Sequence, residues 1–101
     1  MRLTLTGRHV EITPAIGRLV ERKMARLVRV LNTRAVSGQV ELWPEKFRHV
    51  VEVHVHARGG HMLMGRAVAT SWDEALVRAS EGLQAAHTSL VGIAGGRASN
   101  E

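Results

Sequence analysis

Four arginines, Arg18, Arg22, Arg26 and Arg29, recur at intervals of four, four and three residues. On a helix, where each residue turns ~100°, they fall within an arc of about 80° over three turns. Lys23 flanks the arc, and Arg8 lies in the loop before it. A solvated helix face normally mixes both signs; here the only acid within the helix is Glu21, off the stripe. Guanidinium groups in a row suit contact with a phosphate backbone, because each presents a planar fork of N–H donors. The histidines raise a metal question. Glu52, His54 and His56 lie at two-residue spacing, with His49 and His61 nearby. A His-x-His pair on a strand can ligate zinc, but no third ligand or supporting shell is identifiable, and no metal is expected. Ser71 and Asp73 read as a helix start, and His87 falls near the boundary of an apolar stripe. With no Gly-rich phosphate loop, HExxH or nucleophile elbow, neither catalysis nor a cofactor is expected.

The charge distribution agrees with the stripe. The chain has 101 residues and a formal net charge of +5. Residues 1–35 hold eight basic side chains and two acids, a net of +6; residues 36–101 hold six and seven, a net of −1. All the excess lies in the first third, which points to an anionic partner. Twelve of the fourteen cations are Arg, which suits bidentate phosphate contacts, although a codon bias toward Arg gives the same ratio. The length allows one small domain with a single thin core. With Trp43, Phe47 and Trp72 the only Phe, Trp or Tyr residues, aliphatic side chains must fill that core. The absence of cysteine excludes disulfides, thiolate zinc sites, iron–sulfur clusters and a Cys nucleophile. There is no apolar run near ~18 residues, so no membrane helix is expected. The first residues lack the apolar stretch of a signal peptide, so the protein is expected to stay in the cytosol.

The elements that must position these side chains follow from periodicity. Arg2 to Thr6 alternates, with Leu3 and Leu5 on one side, and Gly7 breaks the strand. Thr13 then Pro14 reads as N-cap and first helical position. Ile16, Val20, Lys23/Met24, Leu27 and Leu31 continue at helical spacing, with Asn32 as the stop. A second strand runs from Val36 to Trp43 and ends at Pro44; a third runs from His49 to Arg58 with Val51, Val53, Val55 and Ala57 inward. Gly59-Gly60 turns the chain into a fourth strand, about His61 to Thr70. Ser71 caps a second helix with Trp72, Leu76, Ala79, Leu83, Ala86 and Leu90 as its apolar stripe, ended by Gly92, Gly95 and Gly96. The order β-α-β-β-β-α predicts an α+β two-layer sandwich, two helices on one face of a four-stranded, mostly antiparallel sheet. Residues 1–92 form the domain and 93–101 a disordered tail.

The register of the last hairpin decides which side chains reach the core. A two-residue turn buries Arg66 opposite Val53; a three-residue turn pairs Glu52 with Arg66 on the open face. The second is favoured. It places Leu63, Gly65, Ala67 and Ala69 beneath the helices, and His54, His56, Met62 and Met64 together on the other face. That open face is a surface on which the chain could associate weakly with itself or meet another protein.

The run TGRHVEITPAIGRLVERKMARLVRVLN, then VEVHVHARGG, then a Ser-Trp-Asp-Glu-Ala-Leu helix start, resembles the bacterial ribosome hibernation-promoting factor family. That family includes the ribosome-associated inhibitor protein Y and was formerly called sigma-54 modulation proteins. The resemblance covers about residues 1–91 in element order and implies the same fold, related in shape to double-stranded RNA-binding domains. It implies a partner, the small ribosomal subunit with its 16S rRNA. It further implies binding in the decoding channel, idling ribosomes under stress by occlusion, with no catalysis and no membrane. Lys23, Arg26 and Arg29 match basic positions of the family's first helix; Arg18 and Arg22 extend the stripe by geometry. Arg8 follows the Thr-Gly that ends strand one. The second helix departs from the pattern. Asp73 stands at the family's Tyr position, Val77 at an acidic one, and Gly82, Ala85 and Ser89 at basic ones. Arg78, with His87 when protonated, is all that remains of positive charge on this helix before Arg97. The chain reads as a short-form member, without the long form's dimerisation domain or the inhibitor branch's tail. Two other readings stand beside this one: a generic module for structured RNA, and a protein-interaction domain using the open sheet face.

Overall fold

The computed structural model describes the backbone of residues 2–31 and 35–100, with side chains as far as His87. Its elements are β1 (Arg2–Gly7), α1 (Pro14–Val30), β2 (Ala35–Glu45), β3 (Arg48–Ala57), β4 (Met62–Ala69) and α2 (Trp72–Asn100). The strands form one sheet in chain order. β1 runs parallel to β2, and the other two pairings are antiparallel. The expected α+β sandwich is the observed one.

Local chemistry explains where the helices begin. Thr13 caps α1, its hydroxyl accepting from the Ile16 N–H at 3.2 Å, and Pro14 occupies the first turn where a missing N–H is harmless. Ser71 does the same for α2, its Oγ accepting from the Glu74 N–H at 3.2 Å. Val20, Met24, Leu27 and Leu31 of the first helical segment are buried against Val40, Leu42, Val53 and Val55 of the sheet and Leu76 and Leu83 of α2. Each such side chain contributes roughly 1.5–3 kcal/mol when fully buried. This seam fixes the rotation of α1 about its axis. The α1 C-cap is Leu31; the expected stop at Asn32 lies outside the described residues, as does the side chain of Leu90.

The last hairpin has the three-residue turn. The Ala57 N–H donates to the His61 carbonyl at 2.8 Å, Gly59 and Gly60 take φ of 84° and 81°, and Glu52 pairs with Arg66. Gly65 is the point of closest approach between layers. A Cβ there would collide with the Ala79 carbonyl oxygen and come within 2.9 Å of the Leu83 nitrogen.

Two boundaries differ from the periodicity reading. β2 does not stop at Pro44 but continues to Glu45. In this hairpin Glu45 faces Arg48 across a two-residue turn, so Pro44 and His49 form the next, non-hydrogen-bonded pair. Proline's missing N–H therefore points toward the β1 side, where pairing has ended at Leu42. The second difference is α2, which passes Gly92, Gly95 and Gly96 and remains helical to Asn100. Glycine weakens a helix by about 1 kcal/mol each but keeps its backbone donor, so it need not end one. Among the described residues, no helix is long and apolar enough to cross a membrane.

Candidate nucleic-acid interface

Burial of the α1 seam turns the opposite side of the helix to solvent, and Arg18, Arg22, Arg26 and Arg29 are all exposed there. Among the described residues, no carboxylate lies within ion-pair distance of any of the four. Their N–H donors are uncommitted. Lys23 stands at the margin of the stripe, half-buried, with its Nζ 4.0 Å from the Asp73 carboxylate of α2.

The other two candidates stand elsewhere. Arg8 continues the alternation of β1 one residue past Gly7, its N–H donating to the Leu42 carbonyl at 2.9 Å. Its side chain accordingly lies with Thr4 and Thr6 on the open face, away from the helices. There its Nε sits 3.1 Å from Glu41, and its guanidinium lies over the Trp43 ring at 4.2 Å. Arg66 approaches the same ring at 5.5 Å. These cations answer a local problem, since Glu41 and Glu52 are cross-strand neighbours, and like charges so placed repel. Arg8 neutralises one, and the His54 ring, 2.7 Å away, bonds the other. Arg78 is held by Glu74 at 2.9 Å, one turn earlier on α2. The structure thus gathers Arg18, Arg22, Lys23, Arg26 and Arg29 and separates Arg8 and Arg78 from them.

Beside the stripe, α1 and α2 leave a groove of about 180 Å³. Lys23, Arg26 and Val30 line one wall; Val77, Ser80, Glu81 and Gln84 line the other. The family pattern directs attention to Gly82, Ala85 and Ser89 instead. Gly82 and Ala85 are exposed, but at ~100° per residue they share the flank of Arg78, roughly a third of a turn from the groove; the side chain of Ser89 lies outside the described residues. Sequence reasoning does not single out Ser80, Glu81 and Gln84, which the structure places on the groove wall. Their spacing with Val77 marks a helix flank, but which flank meets α1 depends on how the two helices pair. On the open face, Met62 and Met64 are exposed near His54 and His56. Among the described residues, no three His, Asp or Glu side chains converge as metal ligands would.

Residues 3–86 match the family model described as Sigma 54 modulation protein / S30EA ribosomal protein. A ribosomal subunit interface protein from Coxiella burnetii has a similar structure, with a TM-score of 0.81 at 19% identity, covering 91% of this chain and 99% of that one. The N-terminal domain of Protein Y from Thermus thermophilus gives a TM-score of 0.76 at 27% identity, over 89% of this chain and 99% of that one. No curated protein matches the chain in sequence.

Proposed function

We propose that this chain, which belongs to the Sigma 54 modulation protein / S30EA ribosomal protein family, is a ribosome-associated inhibitor of translation. It docks on the small ribosomal subunit with α1 along phosphates of 16S rRNA in the decoding region. There it occupies the place of the tRNA anticodon stems and mRNA, and it holds ribosomes idle in the cytoplasm under stress or in stationary phase. Occupancy, not catalysis, does the inhibiting.

The carrying observation is the row of four exposed arginines without carboxylate partners among the described residues, diametrically opposite a buried seam that prevents the helix from rotating. Arg18, Arg22, Arg26 and Arg29 contact phosphates, and Lys23 supports them at the groove. Arg8 and Arg78 join only where phosphate displaces Glu41 or Glu74. Exposed pairs of this kind are worth at most about 1 kcal/mol, so a phosphate can compete for them.

The test is co-sedimentation with purified small subunits over a range of salt. Four phosphate contacts predict that log K falls against log salt with a slope of about −3 to −4. A flat response, or preference for the large subunit, would refute the proposal. Concentration-dependent self-association through Met62 and Met64 with no ribosome binding would favour the open face instead.

A further inference from the structure

We propose that the groove between α1 and α2 reads the ribose 2′-hydroxyl of RNA, with Glu81 as the acceptor. This rests on the reading that the α1 stripe holds an RNA backbone. Its two walls differ in chemistry. Lys23 and Arg26 on α1 can only donate hydrogen bonds, while the Glu81 carboxylate can only accept them. Gln84 beside it can do both. A groove built for phosphate alone would carry donors on both sides, because a carboxylate repels the ligand. A ribonucleotide presents an anion and a hydroxyl donor side by side, and that pair matches the two walls. The volume of about 180 Å³ is on the scale of one sugar–phosphate unit, not of a duplex.

Ser80 lines the same groove and is only 7% exposed, but its Oγ is closed off from solvent and takes no part in ligand contact. DNA, lacking the hydroxyl, would leave Glu81 facing phosphate with no donor between them.

The experiment compares a stem–loop RNA of the small-subunit decoding region with the same sequence carrying 2′-fluorine at every sugar. Fluorine keeps the A-form but cannot donate. Fluorescence anisotropy with the full chain should show the hydroxyl RNA bound about tenfold more tightly. Glu81→Ala should remove that preference and leave the salt slope unchanged, and Glu81→Gln, which keeps an acceptor oxygen, should retain part of it. Equal binding of both RNAs by the unaltered chain, with a steep salt slope, overturns the groove inference and leaves the stripe reading standing. A Glu81→Ala variant that binds both RNAs more tightly by the same factor also overturns it, since the carboxylate would then act only by repulsion. Binding of neither RNA at low salt overturns both readings.

Discussion

Replacing Arg22 and Arg26 together by Glu should lower affinity for the small subunit by about 100-fold or more, with the fold intact. Hydrogen bonds to charged groups contribute roughly 1.5–3 kcal/mol each, so losing two gives a factor in that range. Reversal goes further than removal. The formal net charge drops from +5 to +1, since each exchange changes it by −2, and the new carboxylates repel the phosphates they face. Nothing in the fold requires the two arginines. Both are exposed, neither is ion-paired among the described residues, and Glu is nearly as good a helix former as Arg. Sedimentation measures the binding and thermal unfolding checks the fold. Binding that persists in moderate salt would remove the stripe from the mechanism.

Gly65→Ala should destabilise the domain by about 3 kcal/mol or more, a large share of the 5–15 kcal/mol typical of a domain. The reason is steric. The new methyl would meet backbone atoms of Ala79 and Leu83, which cannot swing aside as a flexible side chain can. Helix α2 must lift from β4, and the contacts of Leu76, Ala79 and Leu83 loosen with it. Gly17→Ala is the matched control. Nothing lies within 4 Å of a Cβ at Gly17 in α1, so the same change there should stabilise by roughly 0.8–1 kcal/mol through helix propensity. Urea unfolding of both variants gives the two signs. An unchanged midpoint for Gly65→Ala would mean that the two layers are not in backbone contact there.

What the sequence disclosed was whatever depends on neighbours along the chain. Thr13-Pro14 and Ser71 mark helix starts because capping is a local hydrogen bond. Val51, Val53 and Val55 mark a strand because alternation is a local geometry. Even the long-range pairing of Glu52 with Arg66 was legible, because the alternative two-residue turn would bury Arg66 opposite Val53. What stayed hidden depends on neighbours in space. Pro44 reads as a terminator until the β1–β2 pairing is known to end at Leu42, leaving that side of β2 unpaired beyond it. Arg8 reads as a loop cation near the helix, because Gly7 looks like a break. One more step of alternation carries it to the opposite face of the sheet. Glu81 reads as an ordinary surface acid until α1 is placed beside it, and no periodicity in α2 alone fixes which flank faces its partner.

Because β1 lies parallel to β2, residues 2 and 37 become neighbours only once α1 has been carried over the sheet. Residues 45 and 48, or 57 and 61, are brought together by their own turns. Closing a longer loop costs about 0.6 kcal/mol more for each doubling of its length, and non-local pairings form slowly. Loop closure therefore favours forming the β2–β3–β4 meander ahead of the β1–β2 pairing, which must enclose α1. Synthesis runs in the other direction. The arginine-bearing helix is translated before Val40, Leu42, Val53 and Leu76, the side chains against which it docks. Its cations are thus made before the core that holds them, and loop closure favours fixing them in place late.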